Sequence, residues 1–210
     1  YALALYGDMD LSMIKTKPSG RKNIITKVYP EKDVRIVLEQ VWQELKDNHQ
    51  VYVVAPLIND EENELNDVNK LKDNFMKAFN NKVKIGIMHG KMKKTDKDQV
   101  MQEYKDGKIK ILISTTVIEV GVDVKDATVM IIYNAERFGL ATLHQLRGRV
   151  GRNDVQSYCY LISNEDVPRL KVLEESNDGF YISEKDFEMR GEGDLFGIKQ
   201  SGDMNFKIGD

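Results

Sequence analysis

Residues 109–133 read IKILISTTVIEVGVDVKDATVMIIY, and the two ends of this stretch decide the fold. The runs at 109–113 and 129–133 are short, apolar and rich in β-branched residues. They lack the strict in–out alternation of a half-exposed strand. Strands of this kind are buried on both faces, as in a parallel sheet covered by helices. Working outward, the same reading predicts further strands at 24–29, 51–55, 83–88 and 158–162. Helical patterns lie between them. Val34, Leu38, Val41 and Leu45 recur at spacings of three and four, as do Val68, Leu71, Phe75 and Phe79. A third helix, starting near Thr95, carries Val100, Met101 and Tyr104. Strand–helix alternation on this scale predicts an α/β domain with a mainly parallel sheet.

Composition bounds the function classes. The chain has 210 residues, 41% of them hydrophobic, with a formal net charge of -3. That is enough apolar material for a buried core, and it excludes global disorder. No apolar run reaches the ~18 residues a membrane helix needs. The single cysteine, Cys159, excludes an internal disulfide and a Cys-rich zinc cluster, and the default setting is reducing and cytoplasmic. Cys159 is expected to be a small buried side chain within a strand, and Trp42 to be core or partly buried. The opening YALALY begins without Met and reads as the interior of a longer chain. The acidic stretch 59–66 reads as a solvated loop. After Ser163 the pattern changes to two shorter helices, at 165–176 and 183–189, with Ser183 and Asp186 placed like a capping box. A Gly-rich tail follows. The expected organisation is an entering segment at 1–23, an α/β lobe at 24–163 and an appendage at 164–210.

Ligands of open parallel sheets collect outside the carboxyl ends of the strands. Four loops leave at that edge with unusual residues: 55–58, His89-Gly90-Lys91, 114–123 and 134–138. The stretch QLRGRVGRND, from Gln145, holds three arginines and two glycines within eight residues, which is hard to explain as packing. Guanidinium groups bind phosphate through a planar fork of donors. In 114–123, Thr115 and Thr116 offer donors suited to phosphates, Gly121 permits close approach, and Glu119 and Asp123 can orient arginines or a ribose. The segment from Gly86 to Met92 only imitates a phosphate-binding P-loop. It has three residues between its glycines where four are needed, and Met92 stands where a Ser or Thr must hold magnesium. His49 reads as a surface residue and His144 as a helix residue. The three histidines show no metal-ligand spacing, and no metal site is expected.

Together these residues resemble a known family. The segment from Gln145 to Arg152 resembles motif VI of superfamily 2 helicases, and Ser114 to Val124 resembles their motif V. Within that superfamily the chain resembles the C-terminal part of the RecG family. The supporting stretches are Tyr6-Gly-Asp-Met-Asp10, Gly20-Arg-Lys22, Met88-His-Gly-Lys-Met92, Asn134-Ala-Glu-Arg-Phe-Gly139 and Ser176-Asn-Asp-Gly179. The tail from Arg190 to Gly202 is similar to the translocation motif that this family shares with transcription-repair coupling factors. Glu192 and Lys199 stand where many relatives carry Pro and Arg.

The resemblance implies a RecA-like parallel sheet with helices on both faces, followed by a small helical hairpin and loop. It implies the second motor lobe of an ATP-dependent double-stranded DNA translocase that remodels branched DNA, such as stalled forks and Holliday junctions. The implied partners are branched duplex DNA and, in the same full-length chain, a first helicase lobe and a wedge domain. ATP would bind between the lobes, with Mg2+ held mainly by the first. Arg149 and Arg152 would reach the ATP phosphates as catalytic arginines, with Arg152 the finger on the γ-phosphate. Gln145 would sense nucleotide, and Asp123, Gly121 and Glu119 would couple motif V to it. Thr115, Thr116, His89 and Gly90 would lie on the DNA phosphate backbone. Arg190 and Gln200 match the polar positions of the translocation motif. Lacking the P-loop, this chain alone is expected neither to hydrolyse ATP nor to unwind DNA. The alternatives are the equivalent lobe of a transcription-repair coupling factor and a non-catalytic nucleic-acid-binding module. Residues 164–210 hold 6 Lys+Arg against 12 Asp+Glu, leaving 25 against 22 in the rest. A mildly basic lobe and an acidic appendage are therefore hidden in the average, and Arg190 is expected to act locally.

Overall fold

The computed structural model describes residues 23–55, 61–115 and 124–200, with side chains omitted for 61–66 and 192–200. Strands β1 (Ile25–Tyr29), β2 (Gln50–Val54), β3 (Ile85–Met88), β4 (Ile111–Ser114), β5 (Ala127–Tyr133) and β6 (Tyr158–Ile162) form one sheet in the order β1-β6-β5-β2-β4-β3. Every pairing is parallel, as the apolar runs predict. The helices are α1 (Val34–Lys46), α2 (Glu61–Ala78), α3 (Lys94–Lys105), α4 (Leu140–Arg147), α5 (Pro168–Glu175) and α6 (Gly179–Gln200).

The continuous runs split between two cores because side chains alternate across a strand. Val51, Val53, Ile111, Ile113, Val129 and Ile131 face α1 and α2, where Val37, Val41, Phe75 and Phe79 meet them. Tyr52, Val54, Leu112, Met130, Ile132 and Cys159 face the other way, against Tyr104 of α3 and Leu140, Leu143 and Leu146 of α4. Leu170, Val172 and Leu173 of α5, with Ile182 of α6, belong to that second core.

Helix ends follow local chemistry. Asn48, Asn80 and Gly107 take positive φ after α1, α2 and α3. The next turns of chain close back five residues, with N–H donated from His49 to Glu44, Asn81 to Met76 and Lys108 to Glu103. These bonds satisfy carbonyls that the helix end leaves open. Pro168 opens α5, where its missing N–H costs nothing.

Three expectations are corrected. The acidic stretch expected as a solvated loop is helical from Glu61; acidic residues in a first turn complement the helix dipole. The last helix begins at Gly179, not 183, because Asp178 Oδ1 accepts the Phe180 N–H at 2.9 Å and caps it there. Ser183 and Asp186 therefore lie inside the helix, which continues over the Gly-rich segment to Gln200. His49 is no surface residue: its Nδ1 sits 3.1 Å from Glu44 and its side chain is 16% exposed.

Candidate functional site

At the carboxyl edge the strands remain laced beyond their ladders. Ala55 N–H donates to Ser114 O at 2.9 Å and Thr115 N–H to Met88 O at 3.1 Å. These bonds bring Thr115, which is buried, beside the turn that begins at His89. Within that turn Lys91 N–H donates to His89 Nδ1 at 3.3 Å and Met92 N–H to His89 O at 3.3 Å. The imidazole is half-buried and shapes the turn, and Gly90 is exposed at its tip. Asn134, at φ 50, turns the chain off β5. Arg169 of α5 fixes that turn by donating to the carbonyls of Phe138, at 3.0 Å, and Glu136. Sequence reasoning missed Arg169, which lies in no motif. Thr116, Glu119, Gly121 and Asp123 lie outside the described residues.

The false P-loop has a plain packing explanation. A Cβ on Gly86 would stand 2.7 Å from Ile109 Cδ1, so this glycine makes room for the neighbouring core.

The arginine segment does not join the carboxyl edge. Helix α4 follows the carboxyl end of β5 and precedes the amino end of β6, so it runs against the strands and delivers its C-terminus to the opposite edge. There the segment is pinned. Gly151, at φ 79, lies so close to Ile24 that a Cβ would meet its Cγ1 at 3.1 Å. Asn153 Nδ2 donates to Lys125 O at 2.6 Å, just ahead of β5.

The three arginines also part company. Arg147 is 2% exposed. Its Nη1 donates to Leu173 O at 2.7 Å and Thr26 Oγ1 at 3.2 Å, and its Nη2 to His144 Nδ1 at 3.1 Å. Burial lowers its pKa, with Cys159 opposing. The same burial pushes the Cys159 thiol up to about 12, so the expected inert, buried cysteine is found. Arg147 is therefore a packing and bonding residue, within a segment that as a whole is hard to explain as packing. Leu140, Leu143 and Arg147 share one helical spacing, and that stripe was the available signal. Arg149 and Arg152 are half-buried. Arg149 acts on Tyr52, whose phenol is raised by burial and partly lowered by that positive charge.

Gln145 is exposed and turns toward α6, where it lines a groove of about 340 Å³ with His144, Asp186, Phe187 and Arg190. Arg190 Nε lies 3.3 Å from Asp186, one turn back on its own helix. Phe187 is 79% exposed. The backbone of Gln200 ends α6, and its side chain lies outside the described residues.

Among the described residues, the group Glu44, Asp47 and His49 has ligand atoms within 4.8 Å of one another. Glu44 there already accepts from Thr128 Oγ1 at 2.6 Å and Gln40 Nε2 at 3.2 Å, and the group caps α1. It reads as a bonded helix end. No helix among the described residues is long and apolar enough to cross a membrane.

Comparison with known proteins gives a consistent outcome. The family described as helicase conserved C-terminal domain matches residues 16–154. The chain is 47% identical to the ATP-dependent DNA helicase RecG of Staphylococcus epidermidis, over 99% of this chain and 31% of that protein. The protein of the same name from Staphylococcus aureus strain NCTC 8325 is 46% identical over the same shares. The chain thus spans about a third of the length of these curated relatives. Among solved structures, RecG bound to a three-way DNA junction matches with a TM-score of 0.72 and 41% identity, over 86% of this chain and 24% of that one. A point variant of Saccharomyces cerevisiae Dbp5 bound to RNA and ADP BeF3 matches with a TM-score of 0.54 and 18% identity, over 80% of this chain and 41% of that one, a likeness of fold alone.

Proposed function

The chain belongs to the helicase conserved C-terminal domain family, and from that premise we propose that it is the second motor lobe of an ATP-dependent, RecG-like double-stranded DNA translocase acting on branched DNA. The observation that carries this reading is the separation of polar groups between the two ends of the sheet. His89, Gly90 and Thr115 gather at the carboxyl edge, while the segment holding Arg149 and Arg152 is pinned at the other end of α4. One edge suits a sugar–phosphate backbone and the other a nucleotide, so the two ligands need not compete for one surface.

In this reading His89, Gly90, Thr115 and Thr116 contact DNA phosphates. Such contacts ignore base identity and weaken with salt. Arg149 and Arg152 reach the ATP phosphates across a cleft completed by the first lobe of the full chain. Their forked donors suit phosphate oxygens, whereas Arg147 is buried and bonded within the core. Arg152 stabilises charge developing on the γ-phosphate. Gln145 senses nucleotide, with Glu119, Gly121 and Asp123 linking motif V to it. Arg190 and Gln200 act in the translocation motif. Mg2+ would be held mainly by the first lobe. A wedge domain elsewhere in the full chain would engage the branch, in the cytoplasm.

The test is Arg152→Ala in the full-length protein. DNA-stimulated ATP hydrolysis should fall by roughly 10³-fold or more, the usual scale for an arginine finger, while DNA binding is retained. Undiminished hydrolysis would overturn the assignment.

A further inference from the structure

The Ser176-Asn177-Asp178-Gly179 turn between α5 and α6 engages several parts of the lobe at once. Ser176 Oγ accepts the Asp178 N–H at 3.0 Å, and Asp178 in turn caps α6. Asn177 clamps the backbone ahead of β1. Its Oδ1 accepts the Ile24 N–H and its Nδ2 donates to Ile24 O, both at 2.9 Å. The amide thereby imitates a neighbouring strand on the outer edge of the sheet. Glu174 adds a second such bond, accepting the Val28 N–H at 2.8 Å.

Gly179 faces the ring of His144 on α4. A Cβ there would stand 3.1 Å from His144 Nε2. Among the described glycines only Gly107 and Gly151 have positive φ, so Gly179 is required for space and not for backbone conformation. On its other side the ring is held by Arg147. An arginine can only donate, so Nδ1 must carry the lone pair and His144 is neutral. Burial, and then the Arg147 charge, lower its pKa in the same sense, with Asp178 opposing. Through Leu173 O and Thr26 Oγ1, Arg147 ties this ring to α5 and β1. The bonded circuit therefore runs from β1 through α5 to α4. It meets the start of α6 at the Asp178 cap, in the packing of Ile182, and where the His144 ring bears on Gly179.

We propose that His144 is a positioning residue: held by Arg147 and bearing on Gly179, it sets the seat of α6 on α4 and so transmits motion between the arginine segment and Arg190. This inference rests on the motor-lobe reading above. Arg149 follows α4 by two residues. Arg190 lies eleven residues beyond Gly179, about 16 Å along the helix axis. A small tilt at the contact becomes a shift of ångströms at Arg190, whereas the local chemistry around Arg149 is left intact.

The experiment uses the full-length protein with Gly179→Ala, His144→Asn and the two combined. Asparagine keeps an acceptor near the Nδ1 position but lacks the part of the ring that meets Gly179. Gly179→Ala should keep DNA-stimulated hydrolysis within about twofold while DNA moved per ATP falls about fivefold or more, the scale of a modest coupling energy. Amide exchange over 180–190 should quicken as α6 loses its seat. Adding His144→Asn should restore both. Parallel loss of hydrolysis and translocation would mark the contact as merely structural and overturn the proposal. So would unchanged exchange, or a double variant no better than Gly179→Ala. If the wild-type protein shows no DNA-stimulated hydrolysis, the motor-lobe reading fails on its own, and the exchange pattern still decides whether His144 seats α6.

Discussion

The two faces of the sheet share their strands but differ in what fills the space above them. On the α1/α2 side the interior is closed by apolar groups: Val37, Val41 and Phe75, with Trp42 stacked on Phe79 at 5.8 Å and Phe79 on Phe75 at 6.3 Å. Its buried polar pair, Glu44 and Thr128, is bonded at the C-terminal end of α1 together with His49. The α3–α6 side buries Arg147, half-buries His144, and holds Tyr104, whose hydroxyl donates to Val51 O at 3.0 Å. Dispersion contacts are non-directional and additive, so the first face resists deformation without favouring any particular coupling. Hydrogen bonds have discrete partners, so the second face can register where one helix stands relative to another. In the proposed motor lobe the first face is scaffold, and the second carries the working connections.

Phe75→Ala should show the largest effect on stability, about 3–5 kcal/mol from lost burial and the cavity left behind. Denaturant titration reads this directly. In samples that remain fully folded, hydrolysis and translocation per molecule should match the parent protein, and a change in either would break the contrast between faces. Arg147→Met should cost less, about 2–3 kcal/mol, because the stem is replaced while Leu173 O and Thr26 Oγ1 lose their donors. Unlike Phe75→Ala, it should also lower translocation per ATP. A neutral result in both measurements would mean the bonded junction contributes nothing.

The smallest expected effect is on pH dependence. The folded-state pKa of His144 is lowered, chiefly by burial. As pH falls through the ordinary histidine range near about 6.5, the unfolded chain therefore takes up the proton before the folded one does. Stability contributed by the neutral ring is complete above that range and declines as pH drops toward the folded value, after which it falls no further. Thermal midpoints at pH 7.5 and 5.5 should differ less for His144→Asn than for the parent. An identical pH response would remove His144 from the account.

Much of this architecture was legible in residue order. All six strands were readable because each is a short run rich in β-branched, aromatic or other apolar residues, and β4 and β5 lacked the alternation of a half-exposed strand. The arginine segment was legible through side-chain type and spacing. Three features were not. The start of α6 depended on Asp178 as cap, a residue the amphipathic pattern does not flag. The acidic stretch at 61–66 reads as solvated by composition alone, yet it is the first part of a helix whose later turns pack on β3 and β4. The place of the arginine segment, which α4 carries to the end of the sheet opposite the carboxyl-edge loops, follows from the topology and not from the residue pattern.

Sequence alone determined the parallel α/β class, the strand positions and the presence of a clustered arginine segment, because these rest on local periodicity and on the chemistry of single side chains. Only the tertiary structure decided which arginine belongs to the core. Arg147 is buried because its partners Leu173 and Thr26 lie 26 and 121 residues away in the chain. No local pattern in QLRGRVGR brings those oxygens to it. The assembled β1, α5 and α4 do, and a guanidinium can leave water only where such acceptors are waiting.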